Sequence, residues 1–133
     1  MHPEPNQVTA IPLFSGLTPE QVDAVCRWSE IRTVDTGTPL ITEGAPGYFF
    51  FVLVDGSATV ARDGVELGSL GPGDFFGEIA ILGGGRRMAS VTTTAPSTLL
   101  VMFGTEFRQL EQALPEAAEK IRSAMSARLA PAG

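Results

Sequence analysis

Short runs of apolar residues, separated by turn signals, fill the middle of the chain. The turn signals include Asp-Gly pairs at 55–56 and 63–64 and a Pro-Gly pair at 72–73. The candidate strands cover residues 31–34, 39–42, 48–54, 57–62, 65–70, 88–94 and 97–103. The Asp-Gly pairs predict one strand with a tight hairpin on one or both sides. Many short strands at this spacing indicate a sandwich, a jelly roll or a barrel.

The amino-terminal part is predicted to hold one helix. Residues 1–12 are polar and contain prolines, so we expect a loose arm there. A helix is expected over 18–30, because Thr18 is a good N-cap residue and Pro19 suits the first helical position. Gln21 completes a capping box with Thr18.

The carboxy-terminal part, residues 105–129, returns to a helical pattern. Thr105 is predicted to cap a short helix, and Pro115 suits the first position of a second helix. The apolar positions of the first helix are Phe107, Leu110 and Leu114, and those of the second are Ala118, Ile121, Met125 and Leu129.

Composition excludes several classes of protein. The 133 residues, 44% of them hydrophobic, have room for one domain with a core, and no segment is long and apolar enough to cross a bilayer. The net charge of −6, with nine scattered cations, argues against a nucleic-acid-binding face. Cys26 is the only cysteine, so no internal disulfide forms, and its place on a helical apolar stripe predicts a buried, unreactive thiol. A cytoplasmic protein is the default expectation.

The strand pattern lapses between residues 70 and 88, where an anion-binding arrangement stands out. Glu78 begins a short apolar turn whose backbone N–H groups are free to bind an anion. The glycines at 83–85 let the chain bend closely around a ligand, and Arg87 offers a forked, permanent charge to a phosphate. Taken singly, the glycine run suits a flexible loop and the arginine pair a solvated surface. Their order, followed by a strand, favours a phosphate and sugar site.

Residues 76–91 resemble the phosphate-binding cassette of the cyclic nucleotide-binding domain family. The family pattern is F-G-E-hydrophobic-A/S-L-L, a variable loop, and then R-x-A-S/T-V. The matching positions are Phe76, Gly77, Glu78, Ile79, Ala80, Leu82, Arg87, Ala89, Ser90 and Val91. Position 81 is Ile where Leu is commoner. The likeness extends upstream through 40–44, 52–56 and 70–76 and into the flanking helices.

This resemblance implies a mainly β fold for a single domain over 1–133. An eight-stranded β-roll would occupy 31–103 and contain the cassette, with one helix before it and two after it. The family's ligand signal moves the hinge between the last two helices, here at Leu114-Pro115. Met125 or Leu129 would then lie over the base, the alternative being packing on the roll or on a partner chain.

The resemblance also implies the ligand contacts. Arg87 would pair with the exocyclic phosphate oxygens, and Glu78 would accept a hydrogen bond from the ribose 2′-hydroxyl. The other residues expected at the anion site are Gly77 and, through their backbone N–H groups, Ile79, Ala80, Met88 and Ala89.

Two leucines and a methionine complete the expected site. Leu67 and Leu70 stand where the family lines the purine and sugar side of the pocket, although both also suit ordinary roll core. Members that favour cyclic GMP commonly carry Thr or Ser after the cassette arginine, where this chain has Met88. The expected ligand is therefore cyclic AMP rather than cyclic GMP, with no metal and no other cofactor.

Three rival functions were weighed against a cyclic nucleotide sensor. An enzyme is disfavoured because His2, in the amino-terminal arm, is the only histidine and Cys26 is the only cysteine. The chain therefore cannot assemble a His-based metal site, and no Ser/His or Cys/His catalytic pair is expected. Asp74 and Glu78 remain as paired carboxylates, unless Asp74 only shapes the turn after Gly73. A DNA-binding regulator is disfavoured because it would need a helix-turn-helix after the last helix, which we do not expect here, and because the chain is acidic.

The third rival is an interaction module that keeps the fold without a ligand. The expected reading is a sensor whose partner is an effector protein or a second copy of itself, or the ligand domain of a larger regulator. The chain is expected to have no catalytic residues.

Overall fold

The described part of the chain forms two four-stranded antiparallel sheets that pack face to face. The computed structural model describes residues 1–44, 49–77 and 89–129, and in the last helix it describes side chains as far as residue 123. The strands are β1 (Glu30–Val34), β2 (Pro39–Ile41), β3 (Phe49–Asp55), β4 (Ala58–Arg62), β5 (Val65–Leu70), β6 (Phe75–Phe76), β7 (Ser90–Thr93) and β8 (Ser97–Phe103). The first sheet has the order β1-β8-β3-β6 and the second β2-β7-β4-β5.

The two sheets enclose one hydrophobic core, and helices cover a second. Along β3 successive side chains point to opposite faces. Phe51 and Leu53 face the other sheet inside the roll, whereas Phe50 and Val52 face the helices. The β-roll with flanking helices that the sequence predicted is therefore confirmed.

The amino-terminal arm differs from the expectation. Residues 1–12 are not loose, because they contain helix α1 (Pro5–Thr9) and lead into a 3-10 helix (Pro12–Phe14). Val8 is fully buried and Ile11 is 3% exposed, both in the core beneath the helices. The polar residues His2, Glu4, Asn6 and Thr9 are exposed, and their number in the sequence concealed these two apolar anchors. The part before the roll thus has two α-helices and a 3-10 turn where one helix was expected.

Helix α2 (Pro19–Trp28) begins as its sequence indicated. The Thr18 hydroxyl accepts from the N–H of Gln21, and the Gln21 side chain accepts from the N–H of Thr18 at 2.9 Å, which is the predicted capping box. Cys26 is partly buried against the helical core. Burial raises the pKa of its thiol, and the nearby carboxylates of Asp23 and Glu4 raise that pKa further. This favours the unreactive, protonated form.

The strands follow the predicted runs, with two differences. The predicted strands do not include β6, which has only Phe75 and Phe76 and pairs with β3. The Asp-Gly pair at 63–64 does close a hairpin between β4 and β5, with positive φ angles of 52° and 78°. The pair at 55–56 instead carries the chain from one sheet to the other. Only one of the two candidate hairpins therefore forms.

The last two helices are α3 (Gly104–Ala113) and α4 (Pro115–Leu129). The prediction that Thr105 caps α3 is wrong, because the helix starts after Phe103 and has no side-chain cap. The Thr105 hydroxyl instead donates to Glu106. The predicted apolar face of α3 is buried, and in α4 Ala118 and Ile121 are buried as expected. The side chains of Met125 and Leu129 lie outside the described part.

We expect Gly56 to be irreplaceable for packing as well as for backbone conformation. Its φ is +102°, and a Cβ there would lie 2.7 Å from the Cα of Ser97. Gly56→Ala should lower the free energy of unfolding by about 4 kcal/mol or more. Gly64→Ala is the matched control, because its φ is +78° but its Cβ would meet open space. It should lose about 1–2 kcal/mol. Equal losses in urea denaturation would contradict the prediction.

Candidate functional site

The turn before β6 is held to β3 by two backbone hydrogen bonds. The N–H of Gly73 donates to the carbonyl of Leu53, and the N–H of Leu53 donates to the carbonyl of Asp74, each at 2.8 Å. The Asp74 carboxylate accepts from the N–H of Gly71, also at 2.8 Å. Asp74 therefore shapes this turn, as one of the two sequence interpretations proposed.

Two phenylalanines anchor the chain where it enters the predicted cassette. Phe76 stacks on Phe51 inside the roll, with ring centroids 5.1 Å apart and planes 13° apart. Phe75 packs at 5.9 Å against Phe50 on the helix side. Gly77 follows with a φ of +95°, a conformation that favours glycine. The start of the cassette is thus held on both faces of the first sheet.

The chain leaves the predicted cassette on the other sheet. Ala89 is half-buried and directly precedes β7. Ser90 lies opposite Ala61 of β4, and its hydroxyl accepts from the N–H of Glu43 at 3.0 Å. Residues 77 and 89 are therefore held by different sheets, so the segment between them joins β6 to β7.

Strand β5 is the outer edge of the second sheet, and the described residues do not fill its inner face completely. Leu70 lies opposite Ala58 and packs against the roll core, and Gly68 lies opposite Val60. Paired residues in a ladder share a face, so Gly68 also faces inward. A Cβ on Gly68 would meet no described atom within 4 Å. No residue of the described part therefore occupies the space in front of Gly68 on the interior side of the sheet.

Leu67 has a different environment from Leu70. It lies at a β-bulge, because Gly68 pairs with Val60 while Glu66 pairs with the next residue of β4. Its side chain is 56% exposed, whereas Leu70 is half-buried. A bulge re-aims a side chain. The ordinary-core alternative therefore does not suit Leu67, whereas Leu70 contributes to the core.

The chemical centre of the predicted cassette stays a prediction. Of the expected site residues, the structure describes Gly77 after β6, Ala89 before β7, and Leu67 and Leu70 on β5. Glu78, Ile79, Ala80, Arg87 and Met88 lie outside the described residues.

Sequence reasoning missed two features around the site. One is the ring contact that continues from Phe75 through Phe50 to Phe107 of α3, where Phe50 and Phe107 stack at 4.5 Å. The other is Glu43, which forms hydrogen bonds with Ser90 at the start of β7 and with Asp63 in the β4–β5 turn. Glu43 stood within the family-like segment 40–44, but nothing in a single sequence shows what its side chain bonds.

A second concave region lies at the opposite end of the strands from Gly77. It is an open groove of about 360 Å³. Its lining residues are Thr33, Val34, Asp35, Asp55, Pro96, Ser97 and Thr98. Asp35 and Asp55 are both exposed there. Within the described ranges, no three His, Cys, Asp or Glu side chains group closely enough to hold a metal ion.

Comparison with known proteins agrees with this geometry. The cyclic nucleotide-binding domain family matches residues 31–113. A cyclic nucleotide-gated potassium channel of Mesorhizobium japonicum is 39% identical over 86% of this chain and 32% of the channel. The cyclic AMP receptor protein of Thermus thermophilus is 32% identical over 89% of this chain and 57% of the receptor. The crystal structure of the Thermus thermophilus catabolite activator protein superposes with a TM-score of 0.77 at 32% identity, covering 89% of this chain and 58% of that one.

The fold is a β-roll in which the segment with the cassette motif connects β6 of one sheet to β7 of the other. This combination is typical of a class of ligand-sensing domain. The chain belongs to the cyclic nucleotide-binding domain family, a family of regulatory and sensor domains. It spans between about a third and three fifths of the length of these relatives. None of the helices in the described part is long and apolar enough to cross a membrane.

Leu67 should affect ligand binding without affecting the stability of the free protein. Leu67→Ala removes an exposed side chain, so the melting temperature should stay within about 2 °C. If the purine or sugar covers Leu67, affinity for cyclic AMP should fall about three- to tenfold. Val65→Ala is the matched control, because Val65 is 62% exposed on the same strand.

Leu70→Ala should lower both the melting temperature and the affinity, because Leu70 also packs in the core. Calorimetric titration and thermal melting of the three variants measure both quantities. An unchanged affinity in Leu67→Ala would remove Leu67 from the site.

Proposed function

We propose that this domain binds a cyclic nucleotide between the inner face of β5 and the segment that joins Gly77 to Ala89. The observation that supports this most directly is the space in front of Gly68. It lies beside the edge strand of the sheet that also contains β7, which Ala89 directly precedes. A sugar and a base need such a concave, largely apolar wall.

The proposed contacts follow the sequence motif. Arg87 neutralises the cyclic phosphate, and Glu78 accepts a hydrogen bond from the ribose 2′-hydroxyl. The protein carries a net charge of −6, so an anionic ligand needs a local concentration of positive charge. Free backbone N–H groups of the cassette turn and Arg87 supply it together. Two observations support these roles: the chain belongs to the family, and its sequence has the family's acid and arginine at positions 78 and 87.

Cyclic AMP is the proposed ligand. Met88 follows the cassette arginine, and its thioether offers a guanine amino group only a weak acceptor. One such hydrogen bond is worth about 0.5–1.5 kcal/mol, so the preference over cyclic GMP should be about tenfold. The cyclic AMP receptor protein of Thermus thermophilus, named for that ligand, is among the relatives.

We further propose that binding is transmitted to α3 and α4. Phe75 directly precedes the cassette and contacts Phe50, which stacks on Phe107 of α3. Phe50 and Phe107 are at most 1% exposed, so a shift at β6 must be accommodated by neighbouring rings. The output is an effector protein or a second copy of the domain that contacts these helices.

Arg87 should dominate the affinity for cyclic nucleotides. A charge-assisted contact in a partly dry site is worth about 2–3 kcal/mol, so Arg87→Ala should weaken binding roughly a hundredfold. Arg86→Ala removes the same charge one residue earlier and should change affinity less than about threefold. Titration of each protein with cyclic AMP and cyclic GMP in a calorimeter provides the measurement. Wild-type protein that binds neither nucleotide would favour a ligand-free interaction module instead.

Ligand should slow amide hydrogen exchange in α3 and in α4, because coupled helices are stabilised when the bound state is favoured. Phe50→Leu keeps the core apolar but removes the stacked ring, so it should retain most of the affinity and lose most of this protection. Phe14→Leu is the control, since Phe14 is equally buried in the same core. Equal protection in both variants would show that Phe50 does not carry the signal.

A further inference from the structure

Glu43 connects three segments at one end of the second sheet. One oxygen of its carboxylate, Oε1, accepts from the N–H of Asp63 at 3.0 Å. Its own N–H donates to the Ser90 hydroxyl at 3.0 Å. Glu43 follows β2, Asp63 lies in the β4–β5 turn, and Ser90 begins β7. One residue therefore joins three neighbouring strand ends, and we call this set of contacts the Glu43 bracket.

The bracket supports a turn that is costly for the backbone. Asp63 has a φ of +52°, and among the described residues it is the one non-glycine residue with a positive φ. Such a conformation costs about 1 kcal/mol or more in a residue with a side chain. A hydrogen bond from an N–H to an ionised carboxylate is stronger than a neutral one. Glu43 thus stabilises the conformation that sets where β5 begins.

The same end of the sheet carries Ala89 and Leu67, two described residues of the proposed ligand site. Ala89 directly precedes Ser90, and Arg87 is three residues from the Glu43 bracket. Leu67 stands two residues after the first residue of β5. The bracket therefore adds a side-chain link between the cassette exit and the β4–β5 turn, beside the ladders that join β7 and β5 to β4. The Glu43 carboxylate accepts a hydrogen bond from the N–H of Asp63. Its role is therefore to hold this turn, and not to contact an anionic ligand.

We propose that Glu43 is a positioning residue for the ligand site, acting through Ser90 and the β4–β5 turn. The inference rests on the proposed function, since it concerns affinity for a cyclic nucleotide. Productive geometry in a binding site needs groups held within about 0.5 Å, and a loosened rim lets the two sides separate. The residue contributes to affinity by holding the free protein in its binding-competent arrangement.

The first test is affinity for cyclic AMP and cyclic GMP in the full chain. Glu43→Ala should weaken binding about five- to twentyfold, because one charge-assisted hydrogen bond is lost. Glu43→Gln keeps an acceptor oxygen and removes the charge, so it should bind within about twofold of wild type. Ser90→Ala should weaken binding by a smaller factor. Unchanged affinity in Glu43→Ala, or an equal loss in Glu43→Gln, would overturn the proposal.

Ser57→Ala is the matched control. The Ser57 and Thr94 hydroxyls are 2.6 Å apart at the opposite end of the same sheet, where β4 begins and β7 ends. Its removal deletes a comparable side-chain hydrogen bond away from the cassette exit, so affinity should not change. A loss as large as that of Glu43→Ala would show that any loosening of the sheet lowers affinity, which contradicts a positioning role.

The second test needs no ligand. Amide hydrogen exchange in the free protein should become faster at Asp63 and at residues 89–91 in Glu43→Ala, and should be restored in Glu43→Gln. The melting temperature should fall by only about 2–4 °C. If the wild-type protein binds no cyclic nucleotide, the proposed function is wrong. The exchange data still show whether Glu43 holds the β4–β5 turn and the start of β7 in place. Unchanged exchange at these amides would overturn the inference even in a protein that binds.

Discussion

The two-sided burial of β3 is the constraint on which the rest of the structure depends. Phe51 and Leu53 fill the interior of the roll, while Phe50 and Val52 form the floor on which the helices pack. Each of these side chains is at most 5% exposed. Burying a side chain of this size is worth about 1.5–3 kcal/mol. The strand therefore joins two cores that would otherwise be independent.

The position of the candidate site is a consequence of this arrangement. The short strand β6 pairs with β3, and Phe75 and Phe76 continue the two-sided packing at the entrance to the cassette. A ligand loop attached here is connected to the roll core on one side and to α3 on the other. The exit of the loop depends on the second sheet, where polar contacts of Glu43 replace aromatic packing.

The two ends of the loop are thus held by different kinds of interaction. Aromatic stacking in a dry core is stiff and insensitive to salt. The hydrogen bonds at the exit are exposed to solvent, and each contributes little alone. We infer that the entrance carries the coupling to the helices, while the exit sets the geometry of binding. The proposed roles of Phe50 and Glu43 differ for this reason.

The sequence alone determined the elements with strong local signals. The Thr18 capping box, the Asp63-Gly64 hairpin and the start of α4 at Pro115 depend on residues a few positions apart, so single-sequence chemistry predicts them. The cassette motif was equally readable, since its glycines, acid and arginine stand close together in the chain.

Only the tertiary structure decided the features that join distant segments. Val8 and Ile11 become anchors of the amino-terminal arm because they pack into the same core as α2 and the last two helices. The dipeptide β6 is a strand only because β3 supplies its hydrogen bonds, and the exposure of Leu67 depends on a bulge against β4. Glu43 reaches Asp63 and Ser90 across 20 and 47 residues of chain. Contacts of that range depend on the packing of both sheets, which local propensity does not encode.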